Sequence, residues 1–161
     1  MKIRSATIND LAAITEIYND AILKTVATFD IQPKTPEEQK IWFASHGPKY
    51  PIIVGEVDGT IIGWASLSPY SDRCAYSDTA EISVYVAEVY RGRRFGRTLL
   101  EKIVELGQNA GLHVLIARIA EGNEKSVHLF QSLGFTYVGV LKEVGRKFGK
   151  LLDVYLMQKI L

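Results

Sequence analysis

EISVYVAEVYRGRRFGRTLL, residues 81 to 100, passes from a strand-like to a helix-like periodicity across a short turn rich in arginine and glycine. Read from two residues earlier, TAEISVYV (79–86) alternates, with Ala80, Ile82, Val84 and Val86 on one face of a strand and Glu81, Ser83 and Tyr85 on the other. On the far side Phe95, Leu99, Leu100, Ile103, Val104 and Leu106 recur at helical spacing, and Gly111 offers a stop. Between the two lies no acid from Glu88 to Glu101, while Arg91, Arg93, Arg94 and Arg97 accompany Gly92 and Gly96. A helix start presents unpaired N–H groups, glycine lets a ligand approach the backbone, and arginine grips phosphate with two parallel hydrogen bonds. A phosphate-bearing ligand follows, although taken alone the arginines are as consistent with a solvated surface patch. The spacing matches neither GxxxxGK(S/T) nor GxGxxG, which argues against a nucleoside triphosphate or dinucleotide.

Working outward, KIRSA (2–6) reads as a strand, and Thr7 with Asp10 caps a helix carrying Leu11, Ile14, Ile17, Tyr18 and Ile22. Thr35-Pro36-Glu37-Glu38 starts a second helix. PIIVGEVDGTIIGWASL (51–67) reads as two strands joined at Asp58-Gly59, and a loop at 68–78 leads into TAEISVYV. Downstream, LHVLIARI (112–119) is a strand, Asn123 to Leu133 a short helix ending at Gly134, and 135–159 two strands around Gly145 and Gly149. This order predicts an α/β sandwich about one mixed sheet, with the basic turn at the carboxyl end of a strand, where such sheets place ligands.

Composition bounds the rest. The chain has 161 residues with 19 Lys+Arg against 18 Asp+Glu, a formal charge of +1, and 47% hydrophobic residues. One domain over 1–161 is expected, able to bury a core without staples. Cys74 is the only cysteine, so no internal disulfide or cysteine zinc site is available. His46, His113 and His128 have no metal-like spacing, so no metal is expected, and Cys74 lacks a visible activating base. The amino terminus lacks a secretory apolar stretch, no run is long enough to span a membrane, and the balanced charge speaks against nucleic acid. A cytoplasmic protein with no membrane or nucleic-acid partner is the expectation.

Residues 81–100 resemble the acyl-CoA-binding motif of the GNAT-type N-acetyltransferases, in which a strand runs through a Q/R-x-x-G-x-G/A loop into a helix. Arg91 and Gly96 match its first and last positions, whereas Arg94 stands where the family usually has glycine. TPEE (35–38), EVDGTIIGWAS (56–66), TAEISVYV, GNEKSVHLFQSLGF (122–135) and KFGKLLDVYLMQ (147–158) extend the likeness over nearly the whole chain to the phosphinothricin acetyltransferase-like branch. The resemblance implies a mostly antiparallel mixed sheet with helices on both sides and splayed strands forming an acyl-CoA site. It implies acetyl-CoA as co-substrate, held by Val84, Tyr85, Val86, Arg91, Gly92, Arg93, Arg94, Phe95, Gly96, Arg97, Thr98 and Asn123. It also implies a homodimer and a small amine substrate, the α-amino group of an amino acid or analogue.

Such an amine is protonated at neutral pH and needs a base. The resemblance places the branch's carboxylate at Glu81; without it, Glu81 reads as an ordinary glutamate on the solvent face of a strand. Relatives often supply a Tyr or His acid where this chain has Phe130, leaving the acid unassigned, with Tyr85 or an unassisted thiolate as alternatives. The substrate carboxylate needs a cation: Arg73, with Tyr76 beside it, comes first, then Lys142, Arg146 and Lys147. Leu151 and Leu152, where branch members carry an aromatic or His, suggest a less polar acceptor. Trp64 and Phe29 read as core or pocket wall, and Asn123 as a helix cap that also faces the ligand. The competing readings are a peptide N-terminal acetyltransferase, a non-catalytic acyl-CoA sensor and, with least support, a nucleic-acid-binding module.

Overall fold

Strand TAEISVYV lies at the centre of a seven-stranded sheet in the computed structural model, which describes residues 1–161. The elements run β1 (Lys2–Ser5), α1 (Leu11–Lys24), α2 (Pro36–Ala44), β2 (Ile52–Val57), β3 (Thr60–Pro69), β4 (Thr79–Val86), α3 (Phe95–Asn109), β5 (Val114–Ala120), α4 (Glu124–Ser132), β6 (Thr136–Lys147) and β7 (Lys150–Ile160). The strand order is β1-β2-β3-β4-β5-β7-β6, antiparallel throughout except for the parallel β4–β5 pair. The expected mixed, mostly antiparallel sheet with four helices is therefore present.

Local chemistry explains the boundaries. Thr35 and Glu38 cap α2 reciprocally, Glu38 N–H donating to Thr35 Oγ1 (3.2 Å) and Thr35 N–H to Glu38 Oε2 (2.8 Å). Asp58 and Gly59, at φ 49° and 78°, make the two-residue turn between β2 and β3 whose twist suits a hairpin. The alternation of β4 splits the core between the faces of the sheet. Ala80 and Ile82 join Ile53, Leu67, Leu115 and the fully buried Leu99, Leu100 and Ile103 of α3. On the other face Tyr85 packs against Trp64, Val54 and the α1 residues Ile14 and Ile17.

Two expectations are corrected. Leu112 and His113 precede β5: the Leu112 N–H bonds back to Gly107 O (3.1 Å), and the ladder begins at Val114. The closing hairpin turns only at Phe148 and Gly149 (φ 52° and 73°), while Gly145 lies within β6. Gly145 serves space instead, since a Cβ there would sit 2.2 Å from the Phe29 ring.

Candidate active site

The β4–β5 ladder is short. It holds for Thr79↔Val114, Ala80↔Leu115 and Glu81↔Ile116, after which the strands part. β4 stays with β3 as far as Val86↔Gly63, and β5 stays with β7 as far as Ala120↔Val154. Two bonds to β3 and its flank fix the phase of β4: Tyr70 N–H to Thr79 O (3.2 Å) and Ala87 N–H to Ile62 O (2.9 Å). Antiparallel alternation then turns the N–H and C=O groups of Ile82, Val84 and Val86 away from β3 and into the gap. The Val86 carbonyl accepts from Arg91 Nε at 2.9 Å, so Arg91 fastens the end of the strand. A cleft of about 590 Å³ opens here, walled by β4, β5, α4 and the 26–30 segment. An exposed strand edge of this kind suits an extended ligand carrying its own amide groups.

At the rim of the gap α3 begins. Arg94 takes a left-handed conformation (φ 65°) and its carbonyl accepts the Thr98 N–H and hydroxyl, both at 3.2 Å. The N–H groups of Phe95, Gly96 and Arg97 precede the first helical bond and remain available, aimed out of the helix. Arg94 thus adopts the backbone that a glycine takes most easily, at some strain. The other arginines are partly committed: Arg97 bonds Glu101 (2.8 Å) and Ser132 Oγ (3.0 Å), and Arg93 lies over the Tyr90 ring. Gly92 turns the loop with φ 77°. Asn123 precedes α4, but its side chain does not cap the helix and instead lines the cleft.

Glu81 marks the point where the strands part, and the structure supplies a partner the sequence reading missed. Arg118 of β5 donates through Nε to Glu81 Oε1 (2.9 Å) and through Nη2 to Glu81 Oε2. The pair raises the Arg118 pKa further, chiefly through the Glu81 hydrogen bonds. A lone charge in the apolar run LHVLIARI was the available signal, and its strand position puts it on the Glu81 face. The segment Val26–Asp30, of which the sequence offered only Phe29 as a pocket wall, closes one side of the cleft. Tyr18 binds Thr28 Oγ1 (3.0 Å) and Asp30, Tyr85 donates to Ala27 O (3.3 Å), and Lys147 donates to Thr28 O (2.7 Å). Burial pushes both tyrosine hydroxyls well above their ordinary pKa, so they stay protonated.

The remaining predicted residues fall elsewhere. Arg73 and Tyr76 are exposed on the loop before β4, where a single 3-10 turn at Cys74–Tyr76 packs Tyr76 on Tyr70 (5.2 Å) and keeps both off the cleft wall. Lys142 pairs with Asp153 (2.6 Å), and buried Lys147 is held below the usual lysine pKa by desolvation. Phe130 is a cleft wall and core residue, edge to face with Phe135 at 4.9 Å. Trp64 is 3% exposed and belongs to the core.

A family model described as "Acetyltransferase (GNAT) domain" matches residues 3–156. The chain is 38% identical over 159 residues to the L-amino acid N-acyltransferase MnaT of Escherichia coli, covering 98% of this chain and 92% of that protein. It is 38% identical over 159 residues to an L-methionine sulfoximine/L-methionine sulfone acetyltransferase of Salmonella typhimurium (98% and 93% covered). Over 158 residues it is 37% identical to a phosphinothricin N-acetyltransferase of Streptomyces coelicolor (96% and 92%). Among solved structures, a ribosomal-protein-alanine N-acetyltransferase from Brucella melitensis superposes with a TM-score of 0.97 at 41% identity, covering 100% of both chains. A GNAT superfamily phosphinothricin acetyltransferase from Sinorhizobium meliloti in complex with AcCoA gives 0.96 at 34% identity, covering 99% of this chain and 88% of that one.

Proposed function

The chain belongs to the GNAT acetyltransferase family, and from that membership we propose that it acetylates the α-amino group of a free amino acid or analogue of the methionine sulfone, methionine sulfoximine or phosphinothricin type. The observation that carries this reading is the carboxylate of Glu81, held in a cleft where β4 leaves β5. Residues 1–161 are read as one catalytic domain.

Acetyl-CoA supplies a thioester carbonyl and a thiolate leaving group. The donor set fits it: the gap-facing N–H and C=O of Val84 suit the amides of the pantetheine arm, with Asn123 opposite, while the Val86 carbonyl is held by Arg91. The Phe95, Gly96 and Arg97 N–H groups and the unpartnered Arg94 guanidinium suit its diphosphate. Glu81 takes one proton of the acceptor ammonium through a water, the nitrogen lone pair forms the N–C bond as the C–S bond breaks, and the second nitrogen proton passes to solvent water, leaving the neutral amide. The Val86 N–H donates to the carbonyl oxygen as it gains negative charge. No side-chain acid is assigned: Phe130 has none, and Tyr85 is bonded to Ala27 O. A thiol of pKa ~8.5 leaves as thiolate without one.

We also propose a homodimer in the cytoplasm. The apolar side chains Tyr137, Val138 and Leu141, exposed on edge strand β6, support self-association, and the unpaired Cys74 suits a reducing compartment. No helix is long and apolar enough to cross a membrane. Sedimentation at two protein concentrations tests the dimer.

A second reading, acetylation of a peptide amino terminus, is favoured by the name of the Brucella melitensis neighbour alone. Release of CoA thiol with methionine sulfone, methionine sulfoximine, phosphinothricin, a polyamine and an alanyl peptide separates the two. The expected result is turnover with the free amino acids. Turnover with the peptide alone replaces that reading, and saturable acetyl-CoA binding without any turnover replaces both with a sensor.

A further inference from the structure

Arg118 has no assigned role in the reading above, yet it is the only cation among the residues lining the cleft. Its position follows from the strand pattern. Leu115, Ala117 and Ile119 of β5 face the buried core beneath α3, so Ile116 and Arg118 share the opposite face. Ile116 is the last β5 residue laddered to β4, directly beside Glu81. Arg118, two residues on, projects from the part of β5 that has already left β4 and reaches back across the gap. Its side chain is 50% exposed, against 26% for Glu81.

The pair poses a chemical problem for an amine acceptor. Both Glu81 oxygens accept from the guanidinium, which occupies one lone pair on each and leaves less of the carboxylate open to an incoming ammonium. A simple ammonium approaching Glu81 also meets the positive charge of Arg118. An α-amino acid resolves both difficulties, because it carries its own carboxylate next to the ammonium. Guanidinium has five N–H donors in a planar fork, and the contacts to Glu81 use two of them. The remaining donors make no hydrogen bond within the chain and, on a half-exposed side chain that lines the cleft, match a second carboxylate with two parallel hydrogen bonds.

Resting on the amino-acid reading, we propose that Arg118 binds the α-carboxylate of the acceptor, exchanging part of its hold on Glu81 for the substrate and leaving a Glu81 oxygen free to receive the amine proton. The ion pair is a template for a zwitterion: ammonium toward Glu81, carboxylate toward Arg118. Arg73 and Tyr76, outside the cleft wall, take no part in this contact. Amines without an adjacent carboxylate, including amides, polyamines and peptide amino termini, are disfavoured by the same charge that attracts the zwitterion.

The test compares methionine sulfone with its α-carboxamide as acceptors, reading kcat/KM for each with wild type, Arg118→Gln and Arg118→Lys. In the wild type the free acid is expected to exceed the amide by about 10²-fold, the scale on which a site built for a polar group rejects a ligand lacking it. Arg118→Gln is expected to collapse that ratio to within about threefold, mainly by raising KM for the acid, and Arg118→Lys to fall between, since it keeps charge without the fork. Acetyl-CoA affinity, read by titration, reports that each variant is folded. A ratio unchanged in both variants overturns the assignment of Arg118, as does a wild type that accepts the amide as well as the acid while still acetylating amino acids. A wild type that acetylates peptides or polyamines but not the free acid overturns the amino-acid reading itself, and the inference falls with it.

Discussion

Glu81 and its amide analogue differ by one proton-accepting oxygen, which makes Glu81→Gln the sharpest probe of the chemistry. The glutamine retains a carbonyl oxygen for Arg118 Nε but loses the oxygen that accepts from Nη2, so one of the two contacts survives, while the site loses the group able to hold the amine proton. Turnover is expected to fall by ~10²-fold or more, the usual scale for loss of a general base. Acetyl-CoA affinity is expected to change by less than about threefold, because the groups proposed to hold its diphosphate lie at the start of α3 and make no contact with Glu81. Rapid-mixing turnover alongside equilibrium titration of acetyl-CoA decides the matter, and undiminished turnover removes Glu81 from the mechanism. At this scale the sequence was a partial guide. Glu81 was legible only through the motif around it, since a glutamate on a strand face is ordinary. Arg118 was overlooked because its partner lies 37 residues away and no local pattern joins them.

Among elements, the β6–β7 hairpin and the 26–30 segment act as one wall of the cleft. Phe29 lays its ring over Gly145, where a Cβ would meet ring carbons at 2.2 to 2.8 Å, and Lys147 at the end of β6 reaches Thr28 O. Gly145→Ala therefore displaces the Phe29 ring from the cleft wall. Since that ring is already 36% exposed and can swing outward, the stability cost is expected to be about 1 kcal/mol, at the low end for overpacking. The effect on function is larger: kcat/KM for the acceptor is expected to fall about tenfold, because a misplaced wall spoils the approach of the amine. A double-mutant cycle isolates the contact. In a Phe29→Ala background, Gly145→Ala is expected to cost almost nothing further, and fully additive losses refute the coupling. This wall also shows which elements the sequence reveals. α2 and the β2–β3 hairpin were legible because a capping box and an Asp-Gly turn are complete within a few residues. Gly145 looked like a turn because glycine signals turns; its role is to leave room for a ring 116 residues earlier in the chain, information that exists only once the fold brings them together. Arg73 is a loop cation near the same strand, and its exposed place beside the 3-10 turn at Cys74–Tyr76, outside the residues that line the cleft, is likewise visible only in the fold.

Across the whole molecule, Arg4 ties the first strand to the helical layer through buried Asp10 and to its neighbouring strand through Glu56. Asp10, 6% exposed, accepts from Arg4 Nη1 (2.7 Å) and Nη2 (2.8 Å) and from the Thr7 N–H (2.7 Å), while Arg4 Nε also reaches Glu56 of β2 at 3.2 Å. The Arg4 hydrogen bonds, opposed by burial and aided by Thr7, hold the Asp10 carboxyl at a pKa of about 2, against 3.8 for a free side chain. Because the folded-state pKa is depressed, the unfolded chain binds more protons between these values, and stability rises with pH across that window. The contribution is complete above about pH 5 and disappears as pH falls through 4 toward 2. Asp10→Asn removes the charge but keeps an oxygen for Thr7, so the variant is expected to be less stable at pH 7 by about 2 kcal/mol, the free energy equivalent of the shift. The gap between wild type and variant is then expected to narrow steadily between pH 4 and pH 2. Urea unfolding at pH 7, 4, 3 and 2 measures it, and a gap that stays constant over that range assigns the loss to packing rather than to the ion pair. The site is remote from this latch: no residue of the Arg4–Asp10–Glu56 cluster lines the cleft, so saturating acetyl-CoA is expected to raise both proteins' unfolding midpoints alike at neutral pH.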